Sequence, residues 1–227
     1  MSSGTSKHPY SVYEEFGHGY PLPEVAEHRI HRYEYKYIES WIEEKSKVLD
    51  LGCGSGSLGE RLITNRGCDV YGMDIDENAV AQALQKGLKA RVGDMDLGLD
   101  FEDGSFDYVT VNVTLQMVYR PGFVLTEALR VGSRVITSFP NFGHLYARFQ
   151  MLLLGRMPKA PLYGYKWYDT RHIHLFSYAD FKDYLKELNA KIVRKQFLWL
   201  NSRTENKLSD WFPNLFSGVC ILMIEQG

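Results

Sequence analysis

The apolar positions follow two periods that alternate along the chain. Lys47-Val-Leu-Asp-Leu51, Asp69-Val-Tyr-Gly-Met73, Lys89-Ala-Arg-Val92, Phe106–Val113 and Ser133–Phe139 are short runs of the kind that strands in a covered sheet require. Between them, Ser57–Asn65, Asn78–Lys86 and Pro121–Arg130 carry apolar residues three and four apart, which predicts helices. Strand–helix units at this spacing predict a doubly wound, Rossmann-like α/β domain with a parallel sheet covered on both faces. Upstream, Val25, Ile30, Tyr33, Tyr37, Trp41 and Ile42 give Glu24–Glu44 a helical pattern. After Phe139 the reading changes. Residues 140–175 form an aromatic, basic, loop-rich insertion. A helix over Ala179–Leu188 and two β-type runs, Lys191–Leu200 and Gly218–Glu225, then predict a late antiparallel pair at the sheet edge. The expected division is an N-terminal cap over residues 1–45 and a main domain over 46–227. Leu152–Leu154 with Arg156-Met-Pro158 read either as an exposed docking helix or, by preference, as buried in the core.

The stretch from Val48 to Gly59, VLDLGCGSGSLG, places three glycines directly after a predicted strand and before a predicted helix. Gly52, Gly54 and Gly56 allow a sharp turn and close approach of a ligand to the backbone. Asp50 would repel a phosphate, and no Gly-Lys-Ser/Thr follows, so a nucleotide-triphosphate loop is excluded and a cationic amino group is favoured. Asp74 lies 22 residues after Gly52, where an acid reaches ribose hydroxyls. Asp94, after the third strand, suits an exocyclic amine such as adenine N6. An adenosine joined to an amino acid meets all three conditions, and S-adenosylmethionine (SAM) is such a ligand. The alternative is that Asp74 and Asp94 are solvated strand-end acids.

Composition narrows the surroundings of this site. A net charge of −2 over 227 residues argues against nucleic acid or an anionic membrane as partner. Cys53, Cys68 and Cys220 are too few and too scattered for a disulfide framework or a zinc site. The apolar runs Met151–Leu154 and Val219–Ile224 are short for a membrane helix, and MSSGTSKHPY lacks the apolar core of a secretory signal. A soluble, cytoplasmic protein is expected. His172 and His174 form an H-x-H pair that reads either as two metal ligands on one strand face or as hydrogen-bonded or substrate-facing histidines. No third ligand stands near them except Asp169, so no metal is assigned. His144, just after the fifth strand, falls where such folds place substrate, as a general base or an anchor. Residues 130–175 hold seven Arg or Lys against one acid, and residues 93–107 hold six acids with no Arg or Lys. Such blocks are usually solvated faces, but the basic one also suits a carboxylate-bearing substrate or a protein interface.

VLDLGCGSG with GMDID, VGDMD and FDYVTVNVTLQMV resembles the class I SAM-dependent methyltransferases. Within them, DGSFDYV, TLQMV, LRVG, SFPNFGH, GRMP and WYDTRHIHL resemble the methionine-biosynthesis MetW family, over about Lys47 to Leu188. The resemblance implies SAM as cofactor and S-adenosylhomocysteine as product. It implies that Asp50, Leu51, Gly52, Cys53, Gly54 and Gly56 line the methionine part, that Asp74 holds the ribose with Ile75 on the adenine, that Asp94 and Met95 flank the adenine, and that Asn112 approaches the methionine moiety. Two functions follow from it. One is methyl transfer to a small-molecule acceptor. The other is that of a non-catalytic partner subunit of a homoserine O-acyltransferase in methionine biosynthesis. The residues ahead of Val48 extend beyond the MetW pattern and favour the enzyme, because an N-terminal extension commonly caps the active site of small-molecule methyltransferases. There Tyr13, Tyr20 and Tyr37 offer aromatic faces to a cation, with Gly17 and Gly19 as hinges. His144, Tyr20 and His174 are the candidate catalytic residues, and Tyr13, Tyr37 and His172 the candidate substrate or lid contacts.

Overall fold

The computed structural model describes residues 32–159, 167–168, 170–199 and 207–227. The chain divides after Arg32, and Tyr33–Gly227 form one compact unit. Its strands are β1 (Lys47–Leu51), β2 (Asp69–Asp74), β3 (Lys89–Val92), β4 (Phe106–Asn112), β5 (Gly132–Pro140), β6 (Ala190–Leu198) and β7 (Val219–Gln226). They make one sheet in the order β3-β2-β1-β4-β5-β7-β6. β3, β2, β1, β4 and β5 run parallel, and β7 is antiparallel to both β5 and β6.

Alternation along each strand sorts its residues between two layers. Leu49, Leu51, Val109, Val111, Val135 and Phe139 enter one core with Leu222 and Ile224. The residues between them, Val48, Tyr108 and Ile136, enter the other with Ile221 and Met223. Each face is then closed by helices. α1 (Tyr35–Trp41), α2 (Ser57–Arg66) and α3 (Glu77–Gln85) supply Ile38, Trp41, Leu58, Leu62 and Ala83 to the second core. α4 (Pro121–Val131) supplies Val124, Leu125, Ala128 and Val131 to the first. α5 (Leu145–Leu154) follows β5, and α6 (Tyr178–Glu187) adds Phe181 and Leu185 to that same core. Two short helices, α7 (Lys207–Trp211) and α8 (Pro213–Phe216), precede β7. Local chemistry starts these elements where the sequence offers it. Asp76 accepts from the Asn78 and Ala79 amides to cap α3, and Ser177 and Asp180 form a reciprocal capping box on α6.

The doubly wound sheet and its antiparallel ending agree with the sequence pattern. The apolar run Val219–Ile224 explains why β7 lies inside the sheet between β5 and β6, since both of its faces are covered. β6 takes the edge, where exposed Lys191, Arg194 and Lys195 and an irregular register between Ile192 and Arg194 discourage further pairing. Two expectations change. The acidic block is not simply a solvated face: Asp96 is buried and accepts from the Tyr119 and Arg120 amides, while Arg130 reaches Asp103 and the Leu99 and Phe101 carbonyls. Leu152, Leu153 and Leu154 are 79%, 72% and 63% exposed, the opposite of the expected burial. They form the end of α5, which agrees with the exposed-helix alternative and shows that the insertion is not loop-rich throughout.

Phe139 is fully buried, with the Phe176 and Phe181 rings 4.9 and 4.8 Å from its own. Phe139→Ala is expected to remove about 3–5 kcal/mol of stability, read as a lower urea midpoint with an unchanged slope.

Candidate functional site

Chain order reverses between β1 and β4, and the crevice beyond their carboxyl ends is where open α/β sheets bind ligands. The turn after β1 fills one side of it. The Gly52 and Cys53 amides donate to the Met73 carbonyl at 2.8 and 3.1 Å, tying the turn to the end of β2. The Gly54 amide donates to one Asp74 oxygen at 2.8 Å, and the Asp76 amide to the other at 3.0 Å. Asp74, which the sequence assigns to a ribose, therefore also holds the turn in shape. Gly52, Gly54 and Gly56 all have positive φ, +72°, +51° and +77°. A Cβ on Gly52 would strike the Thr114 side chain at 2.5 Å, and one on Gly56 the Ala83 backbone at 2.9 Å. A Cβ on Gly54 would meet nothing within 4 Å. Two of the glycines are needed for packing, and the third faces open space.

Beneath the turn, Asp50 is buried on β1 beside its cross-strand neighbour Thr110, whose hydroxyl donates to it at 2.6 Å. Burial pushes the carboxyl up to about 7; the Thr110 bond partly offsets this, and the nearby Asp74 charge adds to it. Burial, with the Asp50 and Asp74 charges, also pushes the Cys53 thiol up, so it stays protonated. Beyond β2, Ile75 is 58% exposed. Asp94 is half-buried and accepts from the Asp96 amide at 2.9 Å, opening a short 3-10 turn, Met95–Leu97, in which Met95 is buried. At the end of β4 the Asn112 side-chain oxygen accepts from the Ser138 hydroxyl of β5. Val113, at φ +52°, then bends the chain so that Thr114 sits over Gly52.

His144 caps α5, its Nδ1 accepting from the Tyr146 amide at 3.1 Å. Burial holds its pKa below the ordinary value. The neutral ring then carries its proton on Nε2, which makes it a donor suited to anchoring rather than a base. Nε2 is buried with no partner among the described residues, and the Trp199 ring meets the imidazole edge-on at 5.6 Å. His172 and His174 lie on an irregular segment, not on a strand. The Ile173 and His174 amides donate to the Gln116 carbonyl, at 2.9 and 3.1 Å. Among the described residues no three His, Cys, Asp or Glu side chains converge on a metal position. Tyr37 packs against the core of the α1 face, and Tyr13 and Tyr20 lie outside the described residues.

Two buried groups carried no role in the sequence reading, although their motifs were visible. Asn141, in SFPNFGH, is fully buried; it accepts from the Gly143 and Tyr178 amides and donates to the Ser217 carbonyl, joining β5 to α6 and to the approach to β7. Gln116, in TLQMV, is fully buried, and neither of its side-chain polar atoms has a partner among the described residues. Partnership in space has no period along a chain, so no sequence pattern announces either.

A family model described as methionine biosynthesis protein MetW matches residues 32–224. The bifunctional methionine biosynthesis protein MetXA/MetW of Rhodopirellula baltica is 34% identical over 195 residues, 80% of this chain and 30% of that protein. A demethylmenaquinone methyltransferase of Bacillus mycoides is 34% identical over 146 residues, 56% of this chain and 62% of that enzyme. The chain thus spans less than two thirds of either relative. Among solved structures, a SAM-dependent methyltransferase of Methanosarcina mazei superposes with a TM-score of 0.59 at 19% identity, covering 84% of this chain and 96% of that one, a likeness of fold.

The raised Asp50 pKa sets a pH dependence. The folded protein holds this proton more tightly than the unfolded chain, so the stability it contributes is full below about 3.8 and is lost as pH rises through about 7. Asp50→Asn keeps an acceptor for Thr110 and cannot ionise. Its stability relative to wild type is expected to improve by roughly 2–3 kcal/mol between pH 5 and 8, measured by chemical denaturation without ligand.

Proposed function

The chain belongs to the MetW family of the class I SAM-dependent methyltransferase superfamily, and from that premise we propose that it binds SAM at the glycine turn and methylates a small molecule. The supporting observation is the open side of Gly54, a cradle that a Cβ would enter, bordered by two acids. SAM supplies a methyl group already activated on a sulfonium. Asp50, Leu51, Gly52, Cys53, Gly54 and Gly56 line its amino-acid part, and Asn112 approaches from β4. Asp74 takes the ribose with its remaining lone pairs. Exposed Ile75 covers one side of the adenine, while Asp94 and Met95 hold the other. A positive ligand charge at the turn draws the proton from Asp50 and leaves a compensated carboxylate. The Nε2 proton of His144 and the His174 imidazole anchor the acceptor beyond β4 and β5, and the exposed cations Arg156, Lys159 and Arg171 suit a carboxylate on it. Alignment and exclusion of water are the chief demands on the protein, because the methyl group needs no further activation.

One observation favours the second function, a partner subunit of a homoserine O-acyltransferase. α5 exposes Tyr146, Phe149, Met151 and Leu152–Leu154, six large apolar side chains on one ten-residue helix. The Rhodopirellula baltica relative, named for both MetXA and MetW, supports an acyltransferase as the occupant.

Calorimetry is expected to show SAM and S-adenosylhomocysteine binding to the wild type and not to Gly54→Val, whose side chain enters the open space. Binding of NAD or ATP in place of SAM would reject the assignment. For the second function, Leu152→Ser with Leu153→Ser should weaken co-elution with a homoserine O-acyltransferase and leave SAM affinity unchanged.

A further inference from the structure

Gln116 is 0% exposed, yet among the described residues neither its Oε1 nor its Nε2 has a hydrogen-bond partner. A fully enclosed carboxamide normally satisfies both ends, since each unmet group forfeits its hydration with nothing in return. An apolar residue would fill the same space without that cost, so the amide points to a ligand. Its position agrees. Gln116 follows β4 by four residues and Thr114 by two, and Thr114 packs on Gly52 of the turn. The Gln116 carbonyl receives the Ile173 and His174 amides, which fastens residues 170–175 across this loop. That crossing brings a second buried group without a partner among the described residues, His174 Nε2, on a residue adjoining Gln116.

We propose that Gln116 is the residue that reads the methyl acceptor, and that the acceptor presents an amide-type edge, a carbonyl beside an N–H. The role rests on the methyl-transfer reading above, and the ligand chemistry on the Gln116 carboxamide itself. Only a group with both a donor and an acceptor satisfies Nε2 and Oε1 together. A carboxylate offers acceptors alone and leaves Oε1 unmet; an ammonium offers donors alone and leaves Nε2 unmet. The carboxylate suited to the basic segment belongs elsewhere on the same molecule.

The test uses three probes on one skeleton, benzamide, benzoate and benzylamine, titrated against the full chain saturated with S-adenosylhomocysteine and followed by ligand-observed NMR. Benzamide is expected to bind about tenfold more tightly than either charged probe, the worth of two hydrogen bonds. Gln116→Leu should abolish that preference without changing S-adenosylhomocysteine affinity. Gln116→Met, which keeps the length and removes both donor and acceptor, should abolish it too, and stands in if the leucine variant fails to fold. Equal binding of the three probes, binding of none, or a preference that survives both substitutions overturns the proposal. If the wild type does not bind S-adenosylhomocysteine, the methyl-transfer reading falls, and the acceptor role of Gln116 falls with it. If it binds and the probes are not discriminated, only the role of Gln116 is lost.

Discussion

Asp50 is enclosed where β1 gives way to the glycine turn, with the Thr110 hydroxyl 2.6 Å from its carboxyl. Neutral, it is a buried, hydrogen-bonded group; ionised, it needs more support than one hydroxyl gives. The nearby backbone donors are committed elsewhere, Gly52 and Cys53 to the Met73 carbonyl and Gly54 to Asp74. On the proposed reading, positive charge from SAM on the open side of Gly54 would complete the balance. The same bonds that withhold support from Asp50 hold the turn in the shape that admits such a ligand.

The sheet delivers the remaining groups to that point. β1 and β4 are neighbours, so the turn after β1 faces the loop after β4, and the contact of Thr114 with Gly52 fixes their spacing. Asn112 is held by Ser138 across the β4–β5 pair, and His144 is held by the first turn of α5. Asn141 binds the end of β5 to α6 and to the segment before β7. Side chains from distant parts of the chain are therefore held on rigid supports near the carboxyl ends of β4 and β5.

The repeating strand–helix pattern was legible because burial on both faces of a parallel sheet leaves short, continuous apolar runs in the sequence. β3 occupies the residues that the pattern predicts, and β1, β2, β4 and β5 agree within a residue at their ends. The glycine turn was legible because a strand end, three positive-φ glycines and a helix start fall in succession. The environment of Asp50 was not, since its Thr110 partner lies 60 residues away. Leu152–Leu154 misled because hydrophobicity reports a preference for burial and not what covers the residue; here the apolar end of α5 faces outward. Gln116 and His174 were missed as neighbours because a backbone crossing joins them, and crossings leave no period in a sequence.

The coupling between Asp50 and a cationic ligand is the claim on which the account turns. Calorimetry of SAM binding at pH 7, repeated in buffers of different ionisation enthalpy, counts the protons that binding moves. The wild type should release about half a proton more than Asp50→Asn, since a group with a pKa of about 7 is roughly half protonated at that pH. Equal proton counts for the two proteins, with SAM bound to both, would contradict the account.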